Sequence, residues 1–216
     1  MKQDAHMPSW GILGGAFDPP HTGHVALAQT AVQALGLERL LVIPTGQAWH
    51  KTRPLSAGQH RLAMCQLAFA SVPQAVVDDR ELQRSGPSYT VDTLHELCTQ
   101  HPGVQWKLII GQDQAERLHT WHRWQDILQI ATVFVAVRAS GAGSAGQLAL
   151  NTIPLAFAHH ILPMARVDVS ATAIRAAVQA AAPTATDSIS ALVGPAVAGY
   201  IAAHHLYQGL QAGISA

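Results

Sequence analysis

The 216 residues carry no formal net charge at pH 7, with thirteen basic and thirteen acidic side chains, and 49% of them are apolar. This balance excludes a chain that is disordered throughout, and it argues against a nucleic-acid polyanion as the main partner. The two cysteines, Cys65 and Cys98, lack CxxC spacing, so the sequence supports neither a disulfide framework nor a zinc site.

The length and the absence of targeting signals predict one domain in the cytoplasm. No apolar run reaches the roughly 18–20 residues of a membrane span, and the start lacks the apolar core of a signal peptide. We expect a single domain over residues 9–210, after an unstructured lead-in over residues 1–8. No membrane partner is expected.

The first elements alternate between strand and helix patterns. Residues 10–13 form a short apolar strand, and Thr22–Leu35 has an apolar stripe at helical spacing, closed by Gly36. Arg39–Pro44 is a continuous run of branched side chains, which is typical of a parallel strand covered on both faces. The residues after the first strand should therefore lie at the carboxyl edge of a sheet, where α/β proteins bind ligands.

The same alternation continues along the chain. Further strands are predicted at 75–79, 106–111, Ala131–Arg138 and His160–Met164. Helices are predicted at 56–70, Thr90–Gln100 (capped by Ser88 or Thr90), 116–118, Trp124–Ile130, 171–181 and 195–205. Loops or linkers are predicted at 45–57, 80–87, 139–146 and 182–190. The order predicts an α/β fold: a Rossmann-like, doubly wound parallel sheet with flanking helices and a small C-terminal helical part.

Residues 10–24, WGILGGAFDPPHTGH, are the densest group of chemical signals. Gly14 and Gly15 follow the apolar strand and let backbone N–H groups approach an anion closely. The Asp-Pro-Pro run that follows stiffens a turn. His21 and His24 then lie three residues apart on one face of a helix start, beside N–H groups that favour a phosphate.

GGAFDPPHTGH resembles the signature GG(S/T)FDPxHxGH of the HxGH nucleotidyltransferases, which transfer a nucleotidyl group from a nucleoside triphosphate to a phosphorylated acceptor. Ala16 departs from the family's Ser or Thr, so the backbone must serve alone at that position. Residues 169–175, VSATAIR, are similar to the family's second signature, ISxTxIR. In that run Ser170 caps a helix, Thr172 supplies a hydroxyl and Arg175 a guanidinium fork for phosphate oxygens.

The resemblance implies the roles of these residues. His21 and His24 would be catalytic and contact the triphosphate, and the phosphates would also be bound by Gly14, Gly15, Ala16, Phe17, Ser170, Thr172 and Arg175. Lys51 matches the basic residue that follows a histidine in the family's PxxxxxHK stretch, and Arg138, which ends the fifth strand, is expected to reach the nucleotide. The spacing of the other histidines predicts no metal cage, so Mg²⁺ should enter with ATP.

Three stretches resemble the bacterial nicotinate mononucleotide adenylyltransferases: residues 44–51, 79–94 and 109–128. That resemblance implies adenylyl transfer from ATP to nicotinate mononucleotide. Trp121 would stack on the pyridine ring, whereas Trp124 is expected to pack in the core. The other expected mononucleotide contacts are Thr45, Tyr89, Thr90, Asp113 and His122, with Asp113 as acceptor for ribose hydroxyls.

Two alternatives stay open. The acceptor could be nicotinamide mononucleotide or phosphopantetheine, or the chain could be a nucleotide-binding sensor without catalysis. Ala16 is the only feature in favour of the sensor. The sequence also leaves open whether the protein is a homo-oligomer.

Overall fold

The computed structural model describes residues 7–46, 54–138, 155–165, 167–180 and 187–208. Within these ranges one sheet of six parallel strands has the order β3-β2-β1-β4-β5-β6. Its strands are β1 (Ser9–Gly15), β2 (Arg39–Pro44), β3 (Ala75–Val77), β4 (Gln105–Gly111), β5 (Ala131–Arg138) and β6 (His160–Met164). The strand order reverses between β1 and β4, where a doubly wound sheet opens its ligand crevice. The predicted fold class is confirmed.

Helices connect these strands and cover the sheet. A 3₁₀ turn at Leu118–Thr120 lies between the fifth and the sixth of these helices. They are α1 (Thr22–Leu35), α2 (Gly58–Phe69), α3 (Arg80–Gln83), α4 (Thr90–Gln100), α5 (Gln112–Arg117), α6 (Trp124–Ile130), α7 (Ala171–Ala180), α8 (Asp187–Val193) and α9 (Pro195–Ala203).

Both faces of the sheet are buried, which explains the continuous apolar runs of the strands. Successive side chains of a strand point to opposite faces. In β2, Leu41 and Ile43 pack in the cluster that includes side chains of α4, whereas Leu40 and Val42 pack with side chains of α1 and α2. An alternating pattern would have left one of these faces polar, as in a half-exposed sheet.

The C-terminal helices form a third cluster against α2 and α7. Met64 of α2 and Ile174 of α7 are fully buried there, together with Ile189 and Val197. The turn after α9, which carries Tyr207, packs against the same cluster. The turn after α9 is therefore held beside α2, the helix that follows β2.

The predicted bounds of α1, β2, α4, α6, β5 and β6 agree with the structure. Helix α1 begins after His21, whose backbone is extended, and it ends at Gly36 in the left-handed conformation with φ of 57°. Glycine adopts that conformation without the steric cost of a β-carbon. Pro195 occupies the first turn of α9, as predicted.

Three predictions of local structure are wrong. Residues 80–87 contain the short helix α3 rather than only a loop, and α8 begins at Asp187 inside the predicted linker because its apolar residues Ile189 and Val193 are buried. Neither Ser88 nor Thr90 caps α4: Tyr89 holds the N-cap position, and the Ser88 hydroxyl donates to the carbonyl of Glu81 (3.4 Å).

Other differences concern the ends of elements. Strand β3 ends at Val77, and the Asp78 carboxylate then accepts hydrogen bonds from the Arg80 guanidinium. Helix α2 begins at Gly58 rather than at Ser56, whose N–H donates to the Asp18 carboxylate. The predicted surface connection at 139–146 and most of the predicted lead-in lie outside the described residues.

Candidate active site

The start of α1 holds two stacked imidazoles at the rim of a cleft. His21 is the N-cap residue, and its carbonyl accepts the N–H of His24 (2.8 Å). The two rings are stacked, with centroids 3.7 Å apart, and both line the cleft. No acidic side chain lies in the first turn of the helix. The positive end of the helix dipole and the two rings therefore face the same space, which suits an anion.

His24 is held as a neutral imidazole. Burial, and secondarily the charge of His21, lowers the pKa of His24 from 6.5 to about 3. The backbone N–H of His21 donates to Nδ1 of His24 (3.2 Å). Since Nδ1 accepts this hydrogen bond, the proton of the neutral ring is assigned to Nε2. His24 is thus a hydrogen-bond donor without a positive charge at neutral pH.

Gly14 and Gly23 of the motif have different surroundings. A β-carbon at Gly14, which lines the cleft, would meet no atom within 4 Å, so the cleft is open there to a ligand. A β-carbon at Gly23 would lie 3.1 Å from Cγ1 of Val169. The start of α1 therefore packs closely against the segment that leads into α7, and a β-carbon at Gly23 would require Val169 or the His21 ring to shift by a few tenths of an ångström.

Helix α7 brings the second signature to the same cleft. The Ser170 hydroxyl accepts the N–H of Ala173 (3.2 Å), which confirms the predicted cap. The Arg175 guanidinium donates to the carbonyl of Asp18 (2.7 Å) and to the hydroxyl of Thr172 (3.1 Å). Ser170, Thr172 and Arg175 line the cleft that His21 and His24 also line. Two helix N-termini and a guanidinium thus surround one space.

The other wall of the cleft lies at the ends of β2 and β4. Trp121 is partly buried against the core and lines the cleft. Trp124 is half-buried and belongs to none of the core clusters, so the prediction that it packs in the core is wrong, and it does not line the cleft. The ring of Tyr89 lies 4.4 Å from that of His122, centroid to centroid. The Asp113 carboxylate accepts a hydrogen bond from Gln114 (3.2 Å). The remaining predicted residues of the described chain that line the cleft are Gly14, Gly15, Ala16, Phe17, Thr45 and Thr90.

Two predicted contacts cannot be located in this cleft. Lys51 lies outside the described residues. Arg138 ends β5, but its side chain is outside the described part of the chain. The remaining members of the predicted set are brought together by the fold.

A buried arginine was missed by the sequence reasoning. Arg61 of α2 is only 3% exposed, and it donates to the carbonyl of Ala16 and to that of Ser56 (2.9 Å each). It therefore fixes the backbone at the position where the family's hydroxyl is absent. The available signal was its helical spacing, because Arg61 lies three and four residues before Met64 and Cys65 on the buried face of α2.

Glu81 is a second residue that the sequence reasoning missed. Its carboxylate accepts a hydrogen bond from the hydroxyl of Thr93 (2.8 Å), and the residue lines the cleft. Burial raises the pKa of Glu81, although the Thr93 hydroxyl acts in the opposite direction. This hydrogen bond connects α3 to α4, the helix whose N-cap residue is Tyr89.

The cleft has a volume of about 1170 Å³. Pockets for a single small molecule span roughly 300–1,000 Å³, so this cleft is larger than a usual single-ligand pocket. Among the described residues no group of three or more His, Cys, Asp or Glu side chains is placed to hold a metal ion. None of the helices in the described part of the chain has the length and apolarity to cross a membrane.

Comparison with known proteins gives consistent matches. A model of the cytidylyltransferase-like family matches residues 12–177. A "probable nicotinate-nucleotide adenylyltransferase" of Albidiferax ferrireducens is 51% identical over 198 residues, which cover 92% of this chain and 97% of that protein. A protein of the same description from Methylibium petroleiphilum is 44% identical over 208 residues, which cover 95% of both chains.

Solved structures agree at the level of the fold. The Plasmodium falciparum nicotinic acid mononucleotide adenylyltransferase complexed with NaAD superposes with a TM-score of 0.72 at 16% identity, covering 93% of this chain and 97% of that one. The same enzyme complexed with APC gives a TM-score of 0.69.

Proposed function

The chain belongs to the nicotinate-nucleotide adenylyltransferases of the cytidylyltransferase-like family, and we propose that its cleft transfers the adenylyl group of ATP to nicotinate mononucleotide. The products are nicotinate adenine dinucleotide and pyrophosphate, so the reaction belongs to NAD biosynthesis. The observation that carries the assignment of the site is the hydrogen bond of Arg175 to the loop that leads into His21 and His24.

The triphosphate of ATP lies between the N-termini of α1 and α7. Gly14 and Gly15 let the phosphates approach the end of β1, because no β-carbon occupies the space beside Gly14. Arg175, with the hydroxyls of Ser170 and Thr172, binds the outer phosphates. Helix N-termini favour such anions through their N–H groups and the helix dipole. The resemblance of the sequence implies that Lys51 and Arg138 also bind the nucleotide through their positive charge.

The reaction is a direct in-line displacement at the α-phosphorus. An oxygen of the 5′-phosphate of nicotinate mononucleotide forms a bond to that phosphorus, and the bond to the oxygen bridging to the β-phosphorus breaks, with pyrophosphate leaving. The attacking oxygen is already anionic at neutral pH, so no general base is required. The protein contributes position and charge stabilisation, which is the usual division in phosphoryl-type chemistry.

His24 contributes to this stabilisation as a neutral donor. Its Nε2–H would bind a phosphate oxygen on which charge increases in the transition state. The stacked His21 ring supplies the second donor of the motif. Magnesium would enter as part of the MgATP substrate, which is the usual way that this ion reaches phosphate-transfer sites. The ion supplies charge neutralisation on the phosphates.

The opposite wall binds the mononucleotide. Trp121 stacks on the pyridine ring, and the carboxylate on that ring binds near the hydroxyls of Tyr89 and Thr90. Asp113 accepts hydrogen bonds from ribose hydroxyls. Thr45 and His122 line the space between these groups.

A competition experiment tests the proposed function. The protein is incubated with ATP, magnesium and equal concentrations of nicotinate mononucleotide, nicotinamide mononucleotide and phosphopantetheine, and the products are identified by mass spectrometry. Nicotinate adenine dinucleotide should dominate, with stoichiometric pyrophosphate. Dominance of another adenylylated acceptor would reassign the substrate. Tight nucleotide binding without pyrophosphate release would indicate a sensor.

A further inference from the structure

Asp18 is the point at which distant parts of the chain hold the loop between β1 and α1. It is 3% exposed. One carboxylate oxygen accepts the hydroxyl of Tyr207 (2.7 Å), and the other accepts the N–H of Ser56 (3.2 Å). The Asp18 carbonyl accepts Arg175 (2.7 Å). These partners are 189, 38 and 157 residues away in sequence.

In its contact with the Asp18 carboxylate, the Tyr207 hydroxyl can act only as a hydrogen-bond donor. It lies in the turn after α9, with φ of 63°, and its ring packs beside the C-terminal cluster. Burial, followed by the hydrogen bond to Asp18, raises the pKa of Tyr207, so its hydroxyl remains protonated at all physiological pH values. Tyr207 is not among the residues that line the cleft.

Asp18 links the two halves of the phosphate site. Its carbonyl orients Arg175, and its peptide lies three residues before His21 in a loop stiffened by Pro19 and Pro20. The backbone of Asp18 thus carries the acceptor for Arg175 and leads into α1, and the carboxylate anchors this backbone to Tyr207 and Ser56. The mononucleotide wall, with Trp121 and Asp113, is formed by other elements and does not contact Asp18 through any of these hydrogen bonds.

We propose that Tyr207 is a positioning residue for adenylyl transfer: by donating to the Asp18 carboxylate it fixes the loop before His21 against Arg175 and so shapes the triphosphate side of the cleft. The proposal rests on the proposed function, and it assigns to the C-terminal turn a role in binding ATP but none in binding the mononucleotide.

The test replaces Tyr207 by phenylalanine, which removes the hydroxyl and keeps the ring. Tyr200→Phe is the matched control, because the Tyr200 hydroxyl bonds to Nδ1 of His60 (3.0 Å) on the neighbouring α9–α2 contact. We expect Tyr207→Phe to weaken ATP binding about tenfold, the usual scale for a lost hydrogen bond to a charged group. Its affinity for nicotinate mononucleotide should stay within about twofold of the wild type, as should both affinities of Tyr200→Phe.

A second measurement separates positioning from general stability. Calorimetric titration gives the two dissociation constants, steady-state kinetics gives kcat and both KM values, and thermal melts report folding. If Tyr207 acts through Asp18, Tyr207→Phe should have little further effect in an Asp18→Ala background, where no side-chain acceptor is left for the hydroxyl. Unchanged ATP affinity, an equal loss for both substrates, or an undiminished effect beside a folded Asp18→Ala would each overturn the proposal.

The two proposals fail in different ways. A wild-type protein that forms no dinucleotide would overturn the proposed function, while the ATP affinities of the same variants would still decide the role of Tyr207.

Discussion

Replacing His24 tests whether it acts as a neutral donor or as a cation. The pKa shift from 6.5 to about 3 means that charging the folded imidazole costs roughly 5 kcal/mol more than charging it in water. The cause is burial at the start of α1, with the neighbouring His21 as the second contribution. We therefore expect no rate loss attributable to His24 between pH 6 and pH 8.

The expected loss of activity follows from the missing donor. His24→Ala should lower kcat about a hundredfold or more, the scale for removing one preorganised donor to developing charge. His24→Gln should retain more activity, because its amide nitrogen can replace Nε2–H. Pyrophosphate release measures the rates, and thermal melts confirm that both variants fold. Near-normal turnover of His24→Ala would refute the catalytic assignment.

The same shift makes a prediction about acid stability. The folded pKa lies below the unfolded value of 6.5, so the unfolded chain takes up a proton as the pH falls below 6.5, and the folded chain does so only near pH 3. Protonation of His24 in the unfolded chain therefore lowers the free energy of unfolding as the pH decreases through this window, by about 2 kcal/mol at pH 5. His24→Gln lacks this penalty.

Urea unfolding at pH 7 and pH 5 measures the difference. The wild type should lose about 2 kcal/mol more than His24→Gln between the two pH values. Equal losses would mean that His24 titrates normally in the folded protein. The lowered pKa of His24, and with it the expectation that the ring stays neutral down to about pH 3, would then be wrong.

Substitutions elsewhere separate the cleft from the scaffold. A methyl group at Gly14 or Gly199 meets no atom within 4 Å, but only Gly14 lines the cleft. In calorimetric titrations Gly14→Ala should therefore weaken ATP binding about tenfold. In thermal melts Gly199→Ala, inside α9, should instead add about 0.5–1 kcal/mol to the free energy of unfolding. Trp121→Ala should raise the KM for nicotinate mononucleotide about tenfold by removing the stacking surface. Trp124→Ala, outside the cleft, is the control. Equal KM values for the two variants would contradict the stacking assignment. Arg61→Lys should lower the free energy of unfolding by about 1–3 kcal/mol in urea titrations, because one ammonium group cannot hold both carbonyls that the guanidinium holds; an unchanged midpoint would argue against that role.

The elements that could be predicted have strong local boundaries. Helix α1 is bounded by an extended His21 and by Gly36, and β2 is an apolar run that ends at Pro44. Helix α3 was missed because its four residues make about one turn, too short for a periodic pattern. Helix α8 was missed because its first residues belong to a run rich in Ser and Thr that was predicted to be a linker. Its residues Ile189 and Val193 are recognisable as buried only when the rest of the core is present.

In the site, too, the residues that could be predicted are those that local sequence positions. The two signatures pointed to the residues of the phosphate side because local sequence already places two helix N-termini there. The partners of Asp18 could not be predicted, since Tyr207 and Ser56 reach it only through the packing of α9 and α2. The capping role expected of Ser88 was wrong for a related reason, because the carbonyl of Glu81 uses its hydroxyl.

The sheet explains why two signatures almost 150 residues apart can act on one triphosphate. Helix α1 leaves β1 at the centre of the sheet and packs over Leu162 of β6, the strand that precedes α7. Both helices therefore begin at the same edge, and their starts touch where Gly23 meets Val169. A β-carbon at Gly23 would lie 3.1 Å from both Cγ1 of Val169 and Nδ1 of His21, so a side chain there would need one of them to shift by a few tenths of an ångström. The glycine of HxGH therefore serves the contact with the second signature as well as the position of the first histidine.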